Sequence, residues 1–262
     1  MAAIAGNVAT GNDRYAPSPV FFGVVAITAA LGWLLWSGND LGGVAVFAFV
    51  LAGWTLSLTL HEFGHAIVAF ISGDRSVADK GYLTLDVRKY ADPGTSLVFP
   101  LLILVIGGIG LPGGAVWINH GAIPSKLNRS LMSAAGPAAS GLCAVLCLVP
   151  LRLGWLDGAN PLFVAGLGFL GAIQVIALLF NLVPVPGLDG FGIIEPHLSR
   201  QAAAAIRPLR QYGIMILIAA LWFVEPVGDA FWDITDRLSN FIGGPDAELQ
   251  RSIGWFEFRF WE

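Results

Sequence analysis

Three ionisable side chains that can hold and use a metal ion stand together in an apolar stretch. They belong to the segment HEFGH (61–65), which lies within the apolar residues 43–71. Residues four positions apart share a face of a helix, so the imidazoles of His61 and His65 point the same way and can hold one zinc ion. Glu62 between them can accept a proton from water, the part a carboxylate plays in zinc peptidases. Ionisable groups in a stretch long enough to cross a bilayer are costly and usually functional, so the pattern predicts an intramembrane metal site.

A third ligand is needed, because catalytic zinc sites have three protein ligands and an open position. The soluble pattern with another histidine six residues on is absent, since Ile71 stands at that place. Asp189 is the candidate: it follows Pro184 and Pro186 in NLVPVPGLDG (181–190), and these prolines must break an otherwise apolar helix. Broken backbone at membrane depth is tolerated where it is buried in protein or lines a wet cavity. The alternative role for Asp189 is capping the next helix.

Asn181, eight residues before Asp189, can donate a hydrogen bond to an oxyanion. The alternative is a packing contact between membrane helices.

The composition indicates a membrane protein with several spans. Of 262 residues, 56% are hydrophobic and 12% charged, and the mean hydropathy is +0.72. A formal charge of −4 carried by so few ionisable groups predicts no nucleic-acid partner. Cys143 and Cys147 fall on one face of a span, where small apolar packing is the expected role.

The hydropathy pattern predicts an all-α polytopic fold with five full transmembrane helices. Residues 97–111 form a further apolar stretch interrupted by proline and glycine, which either re-enters the membrane or is a sixth span. Residues 81–87 and 115–119 alternate as strands do and predict a small membrane-associated β-sheet between the HEFGH helix and the span opened by AAGPAAS (134–140). The chain is predicted to divide into three parts: residues 1–42 contain the first span, residues 43–195 form the core with the metal motifs, and residues 196–262 contain the last span and an aromatic tail.

The motifs HEFGH, AAGPAAS and NLVPVPGLDG together resemble the site-2 protease family of intramembrane zinc metalloproteases. The resemblance covers roughly residues 43–195 and implies zinc bound by His61, His65 and Asp189, with Glu62 as general base and Asn181 near the scissile carbonyl. Members cut a membrane-spanning helix of another protein, so the expected partners are a transmembrane protein substrate and the lipid bilayer. No oligomeric state is predicted.

The family's membrane-embedded sheet holds the substrate in an extended form along one edge. Strand addition replaces the hydrogen bonds that a substrate helix loses when it unwinds. The residues predicted for this edge are Gly113, Gly114, Ala115, Val116 and Trp117. The chain departs from the family by lacking the peptide-binding insert that some members carry, and by having the extra stretch 97–111.

The family core requires the histidine helix and the aspartate helix to run in the same direction, so residues 97–111 are predicted to re-enter rather than cross. Ten cationic residues then share a side with the active site and four lie on the other. The ten are Arg14, Arg75, Lys80, Arg88, Lys89, Lys126, Arg129, Arg200, Arg207 and Arg210. This bias predicts a prokaryotic cell-membrane protein with its active site toward the cytoplasm.

Two other functions fit parts of the pattern. A zinc or divalent-metal transporter also carries intramembrane His, Asp and Glu, although its ligands usually line a route over several spans and recur as a repeat. An inactive homologue that binds helices without cutting them would not need both an intact ligand set and a base.

Overall fold

The computed structural model describes residues 14–38, 42–90 and 116–259. These ranges are helical and contain no β-strand. The helices are α1 (Pro19–Trp36), α2 (Gly42–Ile71), α3 (Ser76–Asp79), α4 (Val87–Tyr90), α5 (Lys126–Arg152), α6 (Pro161–Leu182), α7 (Asp189–Ile194), α8 (Arg200–Ile206), α9 (Gly213–Phe223), α10 (Glu225–Gly243) and α11 (Ala247–Phe258). Short 3-10 turns occupy Tyr82–Thr84, His120–Ala122, Glu195–His197 and Arg207–Tyr212.

Five helical segments in the described ranges are long and apolar enough to cross a membrane. They are α1, α2, α5, α6 and the run Arg200–Phe223, which contains α8 and α9. The chain is therefore a membrane protein, and these five segments are candidates for the five crossings predicted from hydropathy. Residues 97–111, predicted to re-enter the membrane, lie outside the described residues.

The helices α5 and α6 begin at capped N-termini. The hydroxyl of Ser125 accepts a hydrogen bond from the N–H of Asn128 (3.2 Å) at the start of α5. At the start of α6, the side-chain oxygen of Asn160 accepts one from the N–H of Leu162 (2.9 Å). Pro161 follows as the first helical residue, where a missing N–H costs nothing. The polar links between the apolar runs thus set where these two helices start.

The helices α2 and α6 run parallel. Gly166 packs beside Phe49 in the N-terminal part of the two helices, and Gly53 packs beside Leu170 about one turn further along both. Small residues let membrane helices approach closely in this way. Both helices therefore carry their C-terminal ends to the same side of the core.

The helix α5 lies antiparallel to α2 and in close contact with it. A Cβ atom on Gly64 would stand 2.7 Å from the carbonyl oxygen of Ala135, so the glycine is required for this approach. The C-terminal half of α2 thereby meets the N-terminal half of α5, where the AAGPAAS motif lies.

The strand predicted for residues 81–87 is wrong. Gly81 (φ +76°) and Leu85 (φ +55°) have left-handed backbone conformations on either side of the turn Tyr82–Thr84, and α4 follows. The side chain of Thr84 donates to the carbonyl of Gly81 (2.7 Å), which stabilises the turn locally. The turn buries Leu83 and Leu85 and leaves Tyr82 and Thr84 partly exposed, which reproduces part of the alternation of a strand, although Asp86 is buried as well. Residues 116–119 of the second predicted strand have no regular secondary structure, so the described residues do not support the predicted β-sheet.

The C-terminal tail folds back onto the core. The helix α11 packs against α2 and α6, and Phe258 is 1% exposed within an aromatic and aliphatic cluster. Gly254 allows this contact, since a Cβ atom there would overlap the carbonyl of Ala165. Phe241 and Phe256 are exposed on the outside of the tail. The aromatic tail is thus partly core and partly surface.

Candidate metal centre

The helix α2 presents both histidines of the HEFGH motif to the same point. The Nε2 atoms of His61 and His65 are 3.2 Å apart, and both residues are buried. The spacing of four residues therefore places two imidazole nitrogens together, as predicted from the helical period.

Asp189 completes the group from a different part of the chain. The helix α6 ends at Leu182, the chain turns through Gly187 (φ +102°), and α7 begins at Asp189. The carboxylate oxygens Oδ2 and Oδ1 of Asp189 lie 3.3 Å from Nε2 of His61 and 3.4 Å from Nε2 of His65. The prolines that end α6 thus bring a carboxylate to the imidazole pair, and these three residues form the group in the described part of the chain that can hold a metal ion.

The size of this group fits zinc. Ligand atoms bound at about 2.0–2.1 Å with tetrahedral angles lie roughly 3.3–3.4 Å from one another. The two Nε2 atoms are 3.2 Å apart, and each lies 3.3–3.4 Å from a different oxygen of the Asp189 carboxylate, so the contacts are of the size that a shared zinc ion requires. Two imidazoles and one carboxylate also form a donor set that catalytic zinc uses.

The partners of the outer ring nitrogens orient both imidazoles toward a cation. Nδ1 of His65 is 2.7 Å from the main-chain carbonyl of Met132, and this nitrogen must carry the proton because a carbonyl only accepts. In the neutral ring, Nε2 then offers a lone pair toward the carboxylate of Asp189, an arrangement that a cation between them stabilises. Nδ1 of His61 is 2.9 Å from the hydroxyl of Ser140. Such outer contacts hold ligating imidazoles in place in metal sites.

Gly136 keeps the space beside the imidazoles open. A Cβ atom on this residue would stand 2.6 Å from Nε2 of His61 and would overlap His65. The residue lies on α5 in the AAGPAAS motif, next to the close contact of that helix with Gly64. No side chain larger than hydrogen fits there while the histidines keep their positions.

Glu62 lies beside the histidines and is buried. Its oxygen Oε2 accepts a hydrogen bond from the main-chain N–H of Val116 (3.2 Å). Tyr90 is buried nearby, and burial together with the negative charge of Glu62 raises the pKa of its hydroxyl. Tyr90 therefore remains a donor to the carbonyl of Tyr82 (2.6 Å).

The remaining predicted site residues are placed as follows. The side-chain amide of Asn181 donates to the carbonyl of Ala177 in its own helix (3.0 Å). Trp117 exposes its ring, and its carbonyl accepts a hydrogen bond from Lys80 (2.7 Å). Gly113, Gly114 and Ala115 lie outside the described residues.

Three elements of the site were not identified from sequence: Ser140, the carbonyl of Met132, and Gly136. Ser140 and Gly136 belong to the AAGPAAS motif, whose small residues were a signal that α5 approaches another helix closely. The contribution of Met132 comes from its backbone, for which the side-chain type gives no signal.

Comparison with known proteins agrees with this chemistry. The chain is 46% identical over 252 residues to a Mycolicibacterium smegmatis protein named "Putative zinc metalloprotease Rip2", covering 92% of this chain and 96% of the relative. It is 43% identical over 249 residues to the protein of that name from Mycobacterium tuberculosis, covering 94% of each. A Bacillus subtilis protein named "Putative zinc metalloprotease YwhC" is 29% identical over 192 residues, 71% of this chain and 84% of the relative. No family model and no solved structure matches the chain.

Near-complete coverage at more than 40% identity is far beyond the likeness of a single motif, and the aligned length includes the histidine helix, α5 and the aspartate turn. The chain therefore belongs to the Rip2 family of zinc metalloproteases.

Proposed function

We propose that this protein is an intramembrane zinc endopeptidase of the site-2 protease type, which hydrolyses a peptide bond in a transmembrane segment of another membrane protein. The observation that carries the proposal is the convergence of His61, His65 and Asp189 within a bundle of membrane-length helices. Glu62 lies next to His61 in sequence, on the same helix. A metal centre with an adjacent carboxylate is what metal-assisted hydrolysis requires.

Each residue has a distinct part in this reaction. His61, His65 and Asp189 would hold the zinc ion. When bound, zinc supplies Lewis-acid chemistry, which polarises a carbonyl group and makes water acidic near neutral pH. Glu62 takes the proton from the attacking water and later returns a proton to the leaving amine. Asn181 donates a hydrogen bond to the scissile carbonyl after its side chain turns away from Ala177.

The substrate must lose its helical hydrogen bonds before its peptide bonds can be cut. Residues 116–119 pass beside Glu62 without regular structure, and in the described part of the chain the backbone of Ile118 has no hydrogen-bond partner. Free backbone groups next to the general base can pair with an extended peptide. We propose that the substrate binds along the predicted residues 113–117, which would bring an extended peptide next to this segment and the general base.

The active site is proposed to face the cytoplasm of a prokaryotic cell membrane. The bundle end that carries the site is also the end where α5 begins, near Lys126 and Arg129. Cationic residues favour the cytoplasmic side. Bacterial relatives are consistent with such a membrane.

A metal transporter is the weaker proposal. Its ligands would line a route across several spans, whereas the described residues contain a single group with metal-site geometry. A transporter also has no need of a carboxylate held beside the metal without being one of its ligands.

The proposal is tested by comparing membrane-protein fragments from cells carrying the wild type and the Glu62→Gln variant. Glutamine preserves the shape of Glu62 but cannot accept the proton, so zinc should stay bound while fragments derived from transmembrane segments disappear. Asp157→Asn, in the exposed turn after α5, is the matched control and should leave the fragments unchanged. Identical fragments from Glu62→Gln and wild type would contradict the proposal.

A further inference from the structure

A buried carboxylate beyond the metal centre holds the segment that contacts the general base. Asp74 follows the end of α2 by three residues and is 1% exposed. Its Oδ2 accepts a hydrogen bond from the main-chain N–H of Asn119 (2.7 Å). Its Oδ1 accepts from the N–H and the hydroxyl of Ser76 (3.0 and 2.6 Å). Three donors thus satisfy a charge that would be costly to bury alone.

The contact at Asn119 is three residues from the contact at Glu62. Val116 donates its N–H to Glu62 (3.2 Å), and Asn119 donates its N–H to Asp74. We name residues 116–119, with these two hydrogen bonds, the Asp74 clasp. Both acceptors belong to α2 or the turn directly after it, so one continuous stretch of chain fixes the segment at both ends.

Packing and a third polar contact limit the movement of the clasp. Lys80 donates to the carbonyl of Trp117 (2.7 Å). Val116 and Ile118 pack against the buried cluster that contains Ile123. A Cβ atom on Gly73 would meet the carbonyl of Ala122 at 2.5 Å, so the chain beyond the clasp passes directly against the turn that carries Asp74. The segment is therefore held although it lies in no helix.

The clasp constrains the carboxylate of Glu62. One oxygen of Glu62 is held by Val116, and among the described residues no donor contacts the other oxygen, Oε1. A general base must lie within hydrogen-bond reach of the proton that it removes. A fixed Oε2 leaves Oε1 as the oxygen that receives the proton.

We propose that Asp74 is a positioning residue for catalysis, which holds Asn119 so that the N–H of Val116 orients Glu62. This inference rests on the proposed function, because it assigns Glu62 the role of general base. Asp74 touches neither substrate nor metal and acts through the backbone of residues 116–119.

The first test removes one acceptor from Asp74. An asparagine has only one side-chain oxygen. If this oxygen keeps the contact with Ser76, the side-chain N–H₂ of Asp74→Asn faces the N–H of Asn119, and two donors cannot form a hydrogen bond. Ser76→Ala is the matched control, because it removes a hydrogen bond from the other oxygen and leaves the Asn119 contact intact. The protein is used as the zinc-loaded full chain in proteoliposomes.

Two readouts are taken. Hydrogen–deuterium exchange measures the amides of Val116 and Asn119, the two hydrogen-bonded donors of the clasp, which should exchange at least about tenfold faster in Asp74→Asn than in wild type. Cleavage is followed with a fluorophore–quencher peptide whose transmembrane segment is about twenty Leu and Ala residues with a central Asn-Pro pair. The expected result is a kcat lowered by roughly 10–100-fold at equal zinc content. KM is recorded separately, because Val116 and Trp117 also belong to the proposed substrate-binding residues. Ser76→Ala should match wild type in both amide exchange and kcat.

A second pair of variants isolates the backbone donor. Asn119→Pro removes the N–H, and the φ of −85° at this position is close to that of proline. Asn119→Ala keeps the N–H but loses the side-chain contact with the N–H of Gly121, so it is the reference for the proline variant. Asn119→Pro should lower kcat as Asp74→Asn does. The variant that carries both substitutions should have the same kcat as either alone, because both substitutions break the same hydrogen bond, from the N–H of Asn119 to Asp74.

The outcomes separate this inference from the proposed function. Unchanged exchange at Val116 and Asn119, or a kcat that stays at the wild-type value while only thermal stability falls, overturns the positioning role. Wild-type protein that cleaves neither the peptide nor any cellular membrane protein overturns the proposed function, and exchange alone then decides whether Asp74 holds the segment.

Discussion

The carboxylate of Asp189 lies 3.3 Å from Nε2 of His61, although the two residues belong to different helices. Close contact between these atoms is favourable only with a proton or a metal ion between them. The outer nitrogen of the neighbouring His65 donates to a carbonyl, which leaves its inner nitrogen as a second acceptor at the same point. A divalent cation satisfies all three atoms together.

Ser140→Ala is expected to weaken zinc binding without unfolding the protein. The hydroxyl holds the ring of His61 from the side opposite the metal, and loss of such contacts typically costs about 10–100-fold in metal affinity or activity. Competition with a fluorescent zinc chelator measures the affinity. The matched control is Ser57→Ala, which removes a buried hydroxyl of α2 that donates to the carbonyl of Trp54 in its own helix (2.9 Å). Equal affinities for the two variants would contradict an orienting role for Ser140.

Gly136→Ala is expected to abolish zinc binding. The added methyl group would overlap the imidazoles and displace them from Asp189. Gly141→Ala on the same helix is the control, because its Cβ atom would lie 3.5 Å from Leu178 in ordinary contact. Zinc content after dialysis and thermal unfolding are measured for both. Full zinc content in Gly136→Ala would show that the space beside the imidazoles is not needed.

The proposed orientation predicts opposite labelling at the two ends of α5. In a background with Cys143→Ala and Cys147→Ala, Lys126→Cys should react with a membrane-impermeant maleimide only after the cytoplasmic face is exposed. Trp155→Cys, in the exposed turn beyond the other end of α5, should react in intact cells. The reverse pattern would place the active site on the outer side.

The sequence predicted the parts of the site that depend on local geometry. A spacing of four residues on a helix brings His61 and His65 together whatever surrounds them, and the prolines before Asp189 mark a helix end at membrane depth. The carbonyl of Met132 could not be predicted, because any residue supplies the same backbone group and only the helix contact selects it. The pattern of residues 81–87 was misleading because the turn after the left-handed Gly81 buries Leu83 and Leu85 while Tyr82 and Thr84 stay partly exposed.

The tail also needed tertiary information. Aromatic residues are typical both of the membrane interface and of packing on the protein, and the sequence does not separate the two. The structure buries Phe258 against α2 and α6 while Phe256 stays exposed. Packing of the tail on the core depends on one glycine in each helix: Gly254 of α11 and Gly168 of α6 allow the two backbones to approach closely.

Metal removal should stop the reaction reversibly. If zinc supplies the Lewis acid, a chelator such as 1,10-phenanthroline should abolish cleavage of the model transmembrane peptide, and added zinc should restore it. Its non-chelating isomer 1,7-phenanthroline is the control. Cleavage that persists in metal-free protein would rule out the proposed chemistry.

Zinc content measured side by side in purified wild type, Glu62→Gln and Asp189→Ala tests the central claim most directly. About one zinc per chain is expected in wild type and Glu62→Gln, because Glu62 is a base and not a ligand, and a large loss is expected in Asp189→Ala. Wild-type protein without zinc, or Asp189→Ala with undiminished zinc, would contradict a metal centre built from two imidazoles of α2 and the carboxylate that follows α6.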